Sequence, residues 1–482
     1  MKKITSLLFL LCLGTILLTA QRQRPKVDST LKMDFEIYDP PSTLVVPENP
    51  VYRARFPFVD IHSHHWRLND KPYLDKIMKE MDSLNMKIIV NLSGRGGKRL
   101  KAMQDVVDAS PYANRFINFT NIELRSIDDP DWTESTVQQL EYDAKVGAKG
   151  LKIYKSQGMT NEDSSGNRIR IDDPRIDAVW AKCGELGIPV LIHSADPASF
   201  WKPHDENNER WLELKLRPGR KRNPADFTFE QIIAEQHHIF KKHPNTTFIA
   251  AHMGWYPNDL KKLAGLLDDM PNVYVEIGAI IAELGRQPKM ANWFFEKYQD
   301  RVLFGKDSYK PKEYPTYFRV LETADEHFSY YKKYHAFWKM YGLDLPDEIL
   351  KKLYYKNALK VIPGLDASLF EEAETSRTDK TGKQLRHVVL FKFKETSSTA
   401  DIQKVEDAFL ALPSKIAAIS DFEWGTNNSP EGLDKGFTHV FFVSFESEAD
   451  RGIYLPHPAH QAFVKVLQPH LEDVLVMDYW TP

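Results

Sequence analysis

The stretch Phe56-Pro57-Phe58-Val59-Asp60-Ile61-His62-Ser63-His64 decides the fold, because it is a short apolar run that ends in two imidazoles. Side chains alternate between the faces of a strand, so His62 and His64 point the same way and can converge on one ion. Three more apolar runs end similarly: 188–192 before His193, 246–251 before His252, and 301–306 before Asp307. Such residues at the ends of successive strands predict a metal site at the mouth of a parallel barrel.

The chain around this stretch alternates between strand-like and helix-like runs. About eight strand–helix units over about 300 residues match the size of a (β/α)8 barrel, which we place at residues 55–365. The predicted strands are 58–62, 87–92, 116–122, 150–154, 188–193, 247–252, 273–277 and 302–305. The clearest predicted helices are 73–85, 136–146, 174–186, 229–243 and 345–362.

Length and charge limit the classes of protein to consider. With 482 residues, 42% of them hydrophobic, the chain can build two globular domains. The formal net charge of -3 and the lack of a basic stripe argue against a nucleic-acid partner.

The first residues have the pattern of an export signal. A basic start, Met1-Lys2-Lys3, precedes an apolar run to Ala20, so we predict a signal peptide at 1–20 and an exported protein, periplasmic or secreted. An uncleaved membrane anchor is the alternative, although the run is short for a spanning helix. Without residues 1–20, only Cys183 of the two cysteines is left, so no internal disulfide is expected.

Two segments flank the predicted barrel. Residues 21–54 are Pro-rich and are predicted to form an extended strap. Residues 366–383 are polar and are predicted to be a linker to a small α+β domain at 384–482. Its predicted strands are 386–394, 437–446 and 473–479, and its predicted helices are 401–412 and 460–471.

The residues at the strand ends suit a metal-dependent hydrolase. His62, His64 and His193 supply neutral nitrogen ligands, and Asp307 supplies an oxygen ligand that can also accept a proton from water. His252 can either hydrogen-bond the substrate oxygen or bind a second ion.

These motifs resemble those of the amidohydrolase superfamily, closest to the branch that includes small-acid decarboxylases and lactonases. The resemblance covers about residues 55–365 and is carried by 59–64, 189–193, 250–254 and 303–307. It implies that His62, His64, His193 and Asp307 hold a divalent ion, commonly zinc. It also implies that Asp307 is the general base and that His252 polarises the substrate. Lys306 departs from the small residue common before the Asp, so we expect an altered pocket charge.

Three further residues are possible bridging or substrate-binding groups. In two-metal members of the superfamily a carbamylated lysine ends the fourth strand, and Lys152 matches that position best. Lys152 and Lys155 can equally anchor a substrate carboxylate or be solvated. Glu276, at the end of the seventh strand, can bind substrate or support a metal ligand.

The C-terminal domain resembles the stress-responsive A/B barrel family over residues 384–480, through 386–393, 454–460 and 476–479. This resemblance implies a ferredoxin-like fold and a homodimer. Some relatives are cyclases with a Tyr–His pair, so His387 and His457 are candidate catalytic residues, although packing within the fold explains them more simply.

The sequence therefore predicts an exported hydrolase, using one or two divalent ions, that cleaves an amide, ester or lactone bond of a small molecule. A basic run at 217–222, in the long loop 194–226, adds an acidic substrate as an option. A non-oxidative decarboxylase on the same metal site and a catalytically inactive binding barrel are the alternatives.

Overall fold

The structure is a computed structural model that describes residues 29–481, except Asn69, Ala336, 372–383, Ser414 and Ala417. The predicted signal peptide, the first part of the strap and most of the linker lie outside the described residues.

Eight parallel strands form a closed barrel, as predicted. Strands β1–β3 form one sheet and β4–β8 another, and the Thr120–Leu151 bridge joins them. A hydrogen bond of 3.0 Å from the Ile61 N–H to the Phe304 carbonyl closes the ring. The strands are β1 Phe58–Ser63, β2 Met86–Asn91, β3 Phe116–Asn118, β4 Leu151–Ile153, β5 Val190–Ile192, β6 Phe248–Ala250, β7 Val273–Glu276 and β8 Val302–Leu303.

Helices cover the outside of the barrel because each has an apolar face. The first, for example, buries Leu74, Ile77 and Met81, at spacings of three and four residues. The helices are α1 Lys71–Leu84, α2 Lys98–Asp108, α3 Trp132–Lys145, α4 Asp177–Glu185, α5 Trp211–Leu216, α6 Phe229–Lys242, α7 Leu260–Asp269, α8 Ile281–Gly285, α9 Pro288–Tyr298, α10 Tyr314–Glu322, α11 Asp347–Lys351 and α12 Asn357–Val361. The helix predicted at 345–362 is interrupted by a π-helical turn, Lys352–Lys356, between α11 and α12.

Two irregular segments lie against the barrel. The segment between β5 and α6 holds the short helix α5, and a hairpin of β9 (Phe328–Ser329) and β10 (Lys339–Met340) follows α10. The strap is tied to the barrel by Asn49, whose backbone and side-chain N–H groups both donate to the Asp325 carboxylate at 2.7 Å.

The C-terminal domain is a four-stranded antiparallel sheet with helices, which confirms the predicted ferredoxin-like class. Its elements are β11 Leu385–Phe393, α13 Thr399–Leu410, β12 Asp421–Thr426, β13 His439–Phe445, α14 Glu448–Tyr454, α15 Pro458–Leu467 and β14 Leu471–Trp480. The strand order is β12-β13-β11-β14, and the domain has its own apolar core. The helix predicted at 460–471 ends at Leu467, and β12 was not predicted.

Within the described part of the chain, no helix combines the length and the apolar character that crossing a bilayer requires.

Candidate metal centre

The carboxyl ends of the barrel strands bring His62, His64 and Asp307 together. The Nε2 atoms of His62 and His64 lie 3.5 and 3.7 Å from Asp307 Oδ1. One ligand atom from each of the three side chains falls within 4.8 Å of the others, which is the spacing needed to share one ion. The closure of the barrel explains this arrangement, since β1 and β8 are neighbours and the Asp307 N–H donates to the His62 carbonyl at 2.7 Å.

Hydrogen bonds orient both of these imidazoles with Nε2 inward. The Nδ1–H of His62 donates to Glu276 Oε1 at 3.0 Å. The Tyr154 hydroxyl donates its hydrogen to the Leu92 carbonyl, so the Tyr154 oxygen must accept from the Ser93 hydroxyl. Because the Ser93 hydroxyl hydrogen is used in that bond, the Ser93 oxygen accepts from the Nδ1–H of His64. These partners assign the tautomers and leave an Nε2 lone pair on each ring for a metal.

His193 and His252 form a second pair beside the first. Nε2–H of His193 donates to the Ala195 carbonyl at 2.9 Å, and Nδ1–H of His252 donates to the Gly278 carbonyl at 2.6 Å. The remaining nitrogens, His193 Nδ1 and His252 Nε2, lie 3.3 Å apart. When both rings are neutral, two lone pairs face each other at this distance, and a cation or a proton between them relieves the repulsion.

Glu276 holds the two pairs in place. It is fully buried, and Oε1 accepts from His62 Nδ1–H and from the His252 backbone N–H at 2.6 Å. Oε2 accepts from the Gly278 N–H at 2.5 Å. Since three donors already occupy the carboxylate, Glu276 positions the imidazoles.

Burial keeps the imidazoles of His62, His64 and His193 neutral. Desolvation, with the nearby Lys152 charge, lowers the pKa of His64 to about 4 and the pKa of His62 well below its ordinary value. Desolvation and the neighbouring His252 likewise lower the pKa of His193. Neutral imidazole is the form that binds a metal.

Asp307 is held in its ionised form. Desolvation alone would raise the pKa of Asp307, but the attraction that the neighbouring imidazoles exert when protonated, together with that of the Lys152 ammonium, outweighs it, so that the pKa lies below its ordinary value. An ionised carboxylate can bind a cation and accept a proton.

The two candidate lysines have different surroundings. Lys152, at the centre of β4, is 1% exposed, and its Nζ lies 3.5 Å from His62 Nε2. Burial lowers the pKa of Lys152 to about 8, with Asp307 and Glu276 limiting the fall. Lys155 pairs instead with Asp196 at 2.7 Å. The structure therefore brings Lys152, and not Lys155, into contact with the imidazoles.

Two residues of the centre have a backbone conformation that side chains disfavour. His252 and Asp307 have φ angles of 57° and 79°, in the left-handed region. Non-glycine residues with positive φ are uncommon and concentrate at functional sites. At His252 the Glu276 carboxylate helps to hold this conformation, because it accepts the backbone N–H.

Lys306, which was expected to alter the pocket charge, is paired with Glu313. Lys306 is 2% exposed, and its Nζ donates to Glu313 Oε2 at 2.6 Å and to the Ser308 carbonyl at 2.7 Å. The ammonium is therefore satisfied by groups that follow it in the chain.

Ser93 and Tyr154, which orient His64, were not predicted from the sequence. Ser93 follows a predicted strand and Tyr154 ends one, at the same end as the metal-binding candidates, so the strand-end rule that selected the histidines could have selected them. Serine and tyrosine are too common at loop starts for their type alone to mark them.

The donor set fits a divalent metal ion. Four imidazole nitrogens with assigned lone pairs and one ionised carboxylate are the ligand types that zinc takes in hydrolases. The facing nitrogens of His193 and His252 also call for a positive charge between them.

Comparison with known families agrees with this geometry. The family model described as amidohydrolase matches residues 106–364, more than half of the chain. The chain belongs to the amidohydrolase family. This family usually uses divalent metals, and the domain indicates a metal-dependent enzyme of the hydrolase type or a related one. His193, His252 and Asp307 lie inside the matched range, whereas His62 and His64 precede it.

A second match covers the C-terminal domain, where residues 385–481 fit the stress responsive A/B barrel domain. A stress-response A/B barrel domain-containing protein of Arabidopsis thaliana is 36% identical over 95 residues, 20% of this chain and 87% of the relative. Olivetolic acid cyclase of Cannabis sativa is 30% identical over 95 residues, 20% of this chain and 94% of the relative. This amidohydrolase thus carries an A/B barrel domain at its C-terminus.

Among solved structures, an uncharacterised TIM-barrel protein from Bordetella bronchiseptica covers 64% of this chain and 98% of its own. It is 14% identical, with a TM-score of 0.38.

In the A/B barrel domain, His387 is buried and its Nδ1 lies 2.6 Å from Asp478 Oδ1. His457 accepts the Ala459 N–H and caps α15. Both contacts are local to the domain, which agrees with the simpler explanation of these histidines.

Proposed function

We propose that this amidohydrolase is an exported hydrolase that cleaves an amide, ester or lactone bond of a small molecule with metal-activated water. The observation that supports this best is the set of four imidazoles, each anchored through one nitrogen, of which His62 and His64 face the ionised Asp307. If the four histidines only stabilised the fold, their rings would not all need to keep one nitrogen lone pair free.

We propose His62, His64, His193 and Asp307 as ligands of zinc, with His252 beside them. A divalent ion at this position would supply Lewis-acid polarisation of the scissile carbonyl and would lower the pKa of water. The Nδ1–H of His252 is already committed to Gly278, so a neutral His252 has no hydrogen left for a substrate oxygen. Of the two roles open to His252, this favours binding a metal ion through Nε2 over hydrogen-bonding the substrate oxygen.

The proton transfers fall to Asp307. Its carboxylate is ionised and its Oδ1 faces the Nε2 atoms of His62 and His64. It can accept a proton from the attacking water and return it to the leaving group.

Lys152 is proposed as the bridging ligand, in carbamylated form. A pKa of about 8 leaves an appreciable fraction of neutral amine at neutral pH, which is the form that reacts with carbon dioxide. Carbon-13 NMR of protein incubated with labelled bicarbonate tests this role. A carbamate signal that is lost in Lys152→Met and retained in Lys155→Met supports it, and the absence of the signal in the parent protein rejects it.

Metal analysis and turnover test the proposed activity. Zinc-loaded protein should hydrolyse members of a panel of small amides, esters and lactones, and His193→Ala and Asp307→Asn should abolish that turnover while the circular dichroism spectrum is kept. His238→Ala, on the outer surface of α6, is the matched control.

Other outcomes decide between the alternatives. Carbon dioxide release from small acids, without hydrolysis of the panel, identifies a decarboxylase. Protein purified without chelator that contains no divalent metal, and binds none, identifies an inactive barrel.

Export is proposed from residues 1–20, and N-terminal sequencing of protein from the producing cells tests it: a start near Gln21 supports cleavage, and a start at Met1 in the cytoplasm rejects export.

A homodimer through the A/B barrel domain is proposed on the surface of β14. Six apolar residues of this strand are 38–55% exposed, and its outer edge has no neighbouring strand in the described chain. They are Val474, Leu475, Val476, Met477, Tyr479 and Trp480. An exposed apolar edge strand of this kind is a usual site of protein association.

A further inference from the structure

Several cations that the sequence offered as substrate anchors already have carboxylate partners. Lys155 and Arg222 both pair with Asp196, and Arg220 pairs with Glu213. The Arg220 and Arg222 side chains of the basic run at 217–222 are therefore already engaged by carboxylates. A cation that recognises an acidic substrate has to be sought elsewhere on this face of the barrel.

Arg95 is a cation without such a partner. It lies in the loop after β2, on the carboxyl side of the barrel, and no carboxylate of the described residues lies within 4 Å of its guanidinium. The guanidinium stacks over the indole of Trp66, with its carbon 4.4 Å from the ring centroid. Stacking leaves the edge of the guanidinium, with its N–H donors, free for an anion.

The backbone of Arg95 is held in a defined, unfavourable conformation. Its φ angle is 65°, in the left-handed region. The Arg95 N–H donates to Asn121 Oδ1 at 3.0 Å, and its carbonyl accepts from the Asn121 N–H at 2.8 Å and from the Thr120 hydroxyl at 3.1 Å. Strain that is fixed by several bonds concentrates at binding and catalytic residues.

Trp66 connects Arg95 to the metal centre. It is 51% exposed, unlike Trp255, which is buried against His252. The indole is nearly parallel to the His64 imidazole, at 13° and 6.3 Å between centroids, and His64 Nε2 lies 3.7 Å from Asp307. An aromatic surface open to solvent therefore lies directly beside a proposed metal ligand.

We propose that Trp66 and Arg95 bind a planar, carboxylate-bearing part of the substrate, such as an aromatic acid. The exposed indole offers a face for a flat group, and the guanidinium edge offers paired donors that match the geometry of a carboxylate. The inference rests on the proposed hydrolase function, and it narrows the substrate to a planar acid whose reacting bond lies toward Asp307.

Equilibrium binding of benzoate and benzamide tests the site. Both ligands have the same planar aromatic ring, but benzoate carries a charged carboxylate where benzamide carries a neutral amide. Titration calorimetry or ligand-observed NMR on the zinc-loaded full chain measures both. Benzoate should bind more tightly than benzamide. The Arg95→Gln substitution should lower the affinity for benzoate about five- to tenfold and leave the affinity for benzamide unchanged. The Trp66→Leu substitution should lower the affinity for both aromatic ligands and leave the affinity for acetate unchanged.

Arg99→Gln is the matched control, an exposed arginine four positions away at the start of α2. Equal binding of benzoate by the parent protein, Arg95→Gln and Arg99→Gln overturns the inference, as does the absence of any benzoate binding at millimolar concentration. Repeating the titrations on metal-free protein separates the two proposals. Arg95-dependent benzoate binding together with a failure to bind zinc would reject the hydrolase and keep the planar-acid site.

Discussion

Glu276 organises the metal centre at the scale of single residues. Its two carboxylate oxygens accept three N–H groups from His62, His252 and Gly278, so one side chain sets the orientation of a β1 imidazole and of the turn after β6. A carboxylate behind an imidazole also raises the basicity of the nitrogen that faces the metal. The affinity of the centre for metal should therefore depend on this residue, although it need not touch the ion.

Glu276→Gln should weaken zinc binding about 10- to 100-fold. A glutamine amide has one carbonyl oxygen, so its NH2 group must face an N–H donor that the carboxylate now accepts. Competition with a chromophoric chelator measures the affinity, and circular dichroism checks the fold. Glu209→Gln, at an exposed carboxylate of the same protein, is the control. An unchanged affinity in Glu276→Gln would contradict the positioning role.

At the scale of elements, the ends of β7 and β8 make room for the Glu276 carboxylate through glycines. A Cβ added at Gly305 would lie 2.5 Å from Glu276 Oε2 and 2.8 Å from the His62 Cβ, and one at Gly278 would lie 2.6 Å from the same oxygen. Separations under 3 Å force something to move. The cleared space shows that the strand ends are shaped around this side chain.

Gly305→Ala should therefore destabilise the protein by about 1–3 kcal/mol through overpacking and should lower zinc affinity as well. Gly265→Ala is a matched control, because Gly265 lies within α7 and an added Cβ there meets no atom within 4 Å. It should raise stability by up to about 1 kcal/mol, since alanine favours a helix more than glycine does. Chemical denaturation measures both variants, and a neutral Gly305→Ala would rule out the close packing.

At the scale of the whole molecule, buried imidazoles make stability depend on pH. Burial lowers their pKa values in the folded protein, to about 4 for His64 and His237 and to about 3 for His65, whereas unfolded histidine titrates near 6.5. The unfolded chain therefore binds more protons between these values, and stability is lost as the pH falls. The imidazoles are those of His62, His64, His65, His193, His237 and His335.

Metal-free protein should accordingly be less stable at pH 5 than at about pH 6.5. Burial raises the pKa of Asp60 and Glu322 to about 7 and also raises the pKa of Asp143. These three carboxyls oppose the trend, but the six imidazoles outnumber them. Urea unfolding at both pH values measures the difference. Equal stability, or greater stability at the lower pH, would contradict the assignment of neutral buried rings.

The proposed dimer is also a property of the whole molecule. Val476→Asp places a charge on the exposed face of β14 and should convert a dimer into a monomer in light scattering after gel filtration. Val466→Asp, on helix α15 and 39% exposed, is the control and should leave the mass unchanged. A monomeric parent protein, or a dimeric Val476→Asp, would reject this interface.

Much of the barrel could be predicted because its signals are local. Each apolar run that ends in a polar residue marks one strand and its carboxyl end, and all eight predicted strands overlap observed ones. Boundaries were less certain where helix and strand patterns run together, as at 460–471, where α15 stops at Leu467 and β14 begins four residues later. The short β12 has weak alternation and was missed.

The sequence by itself determined the two domains, the barrel and the histidines and aspartate that meet at its mouth, since side-chain alternation and strand ends follow from neighbouring residues. Only the tertiary structure decided which ring nitrogen of each histidine is free and that three donors occupy Glu276. It also decided that Lys306 has a carboxylate partner, whereas Arg95 has none among the residues that the structure describes. These properties depend on hydrogen bonds and charges supplied by other segments, often far away in the chain. Only the closed barrel brings such groups within a few ångströms of each other.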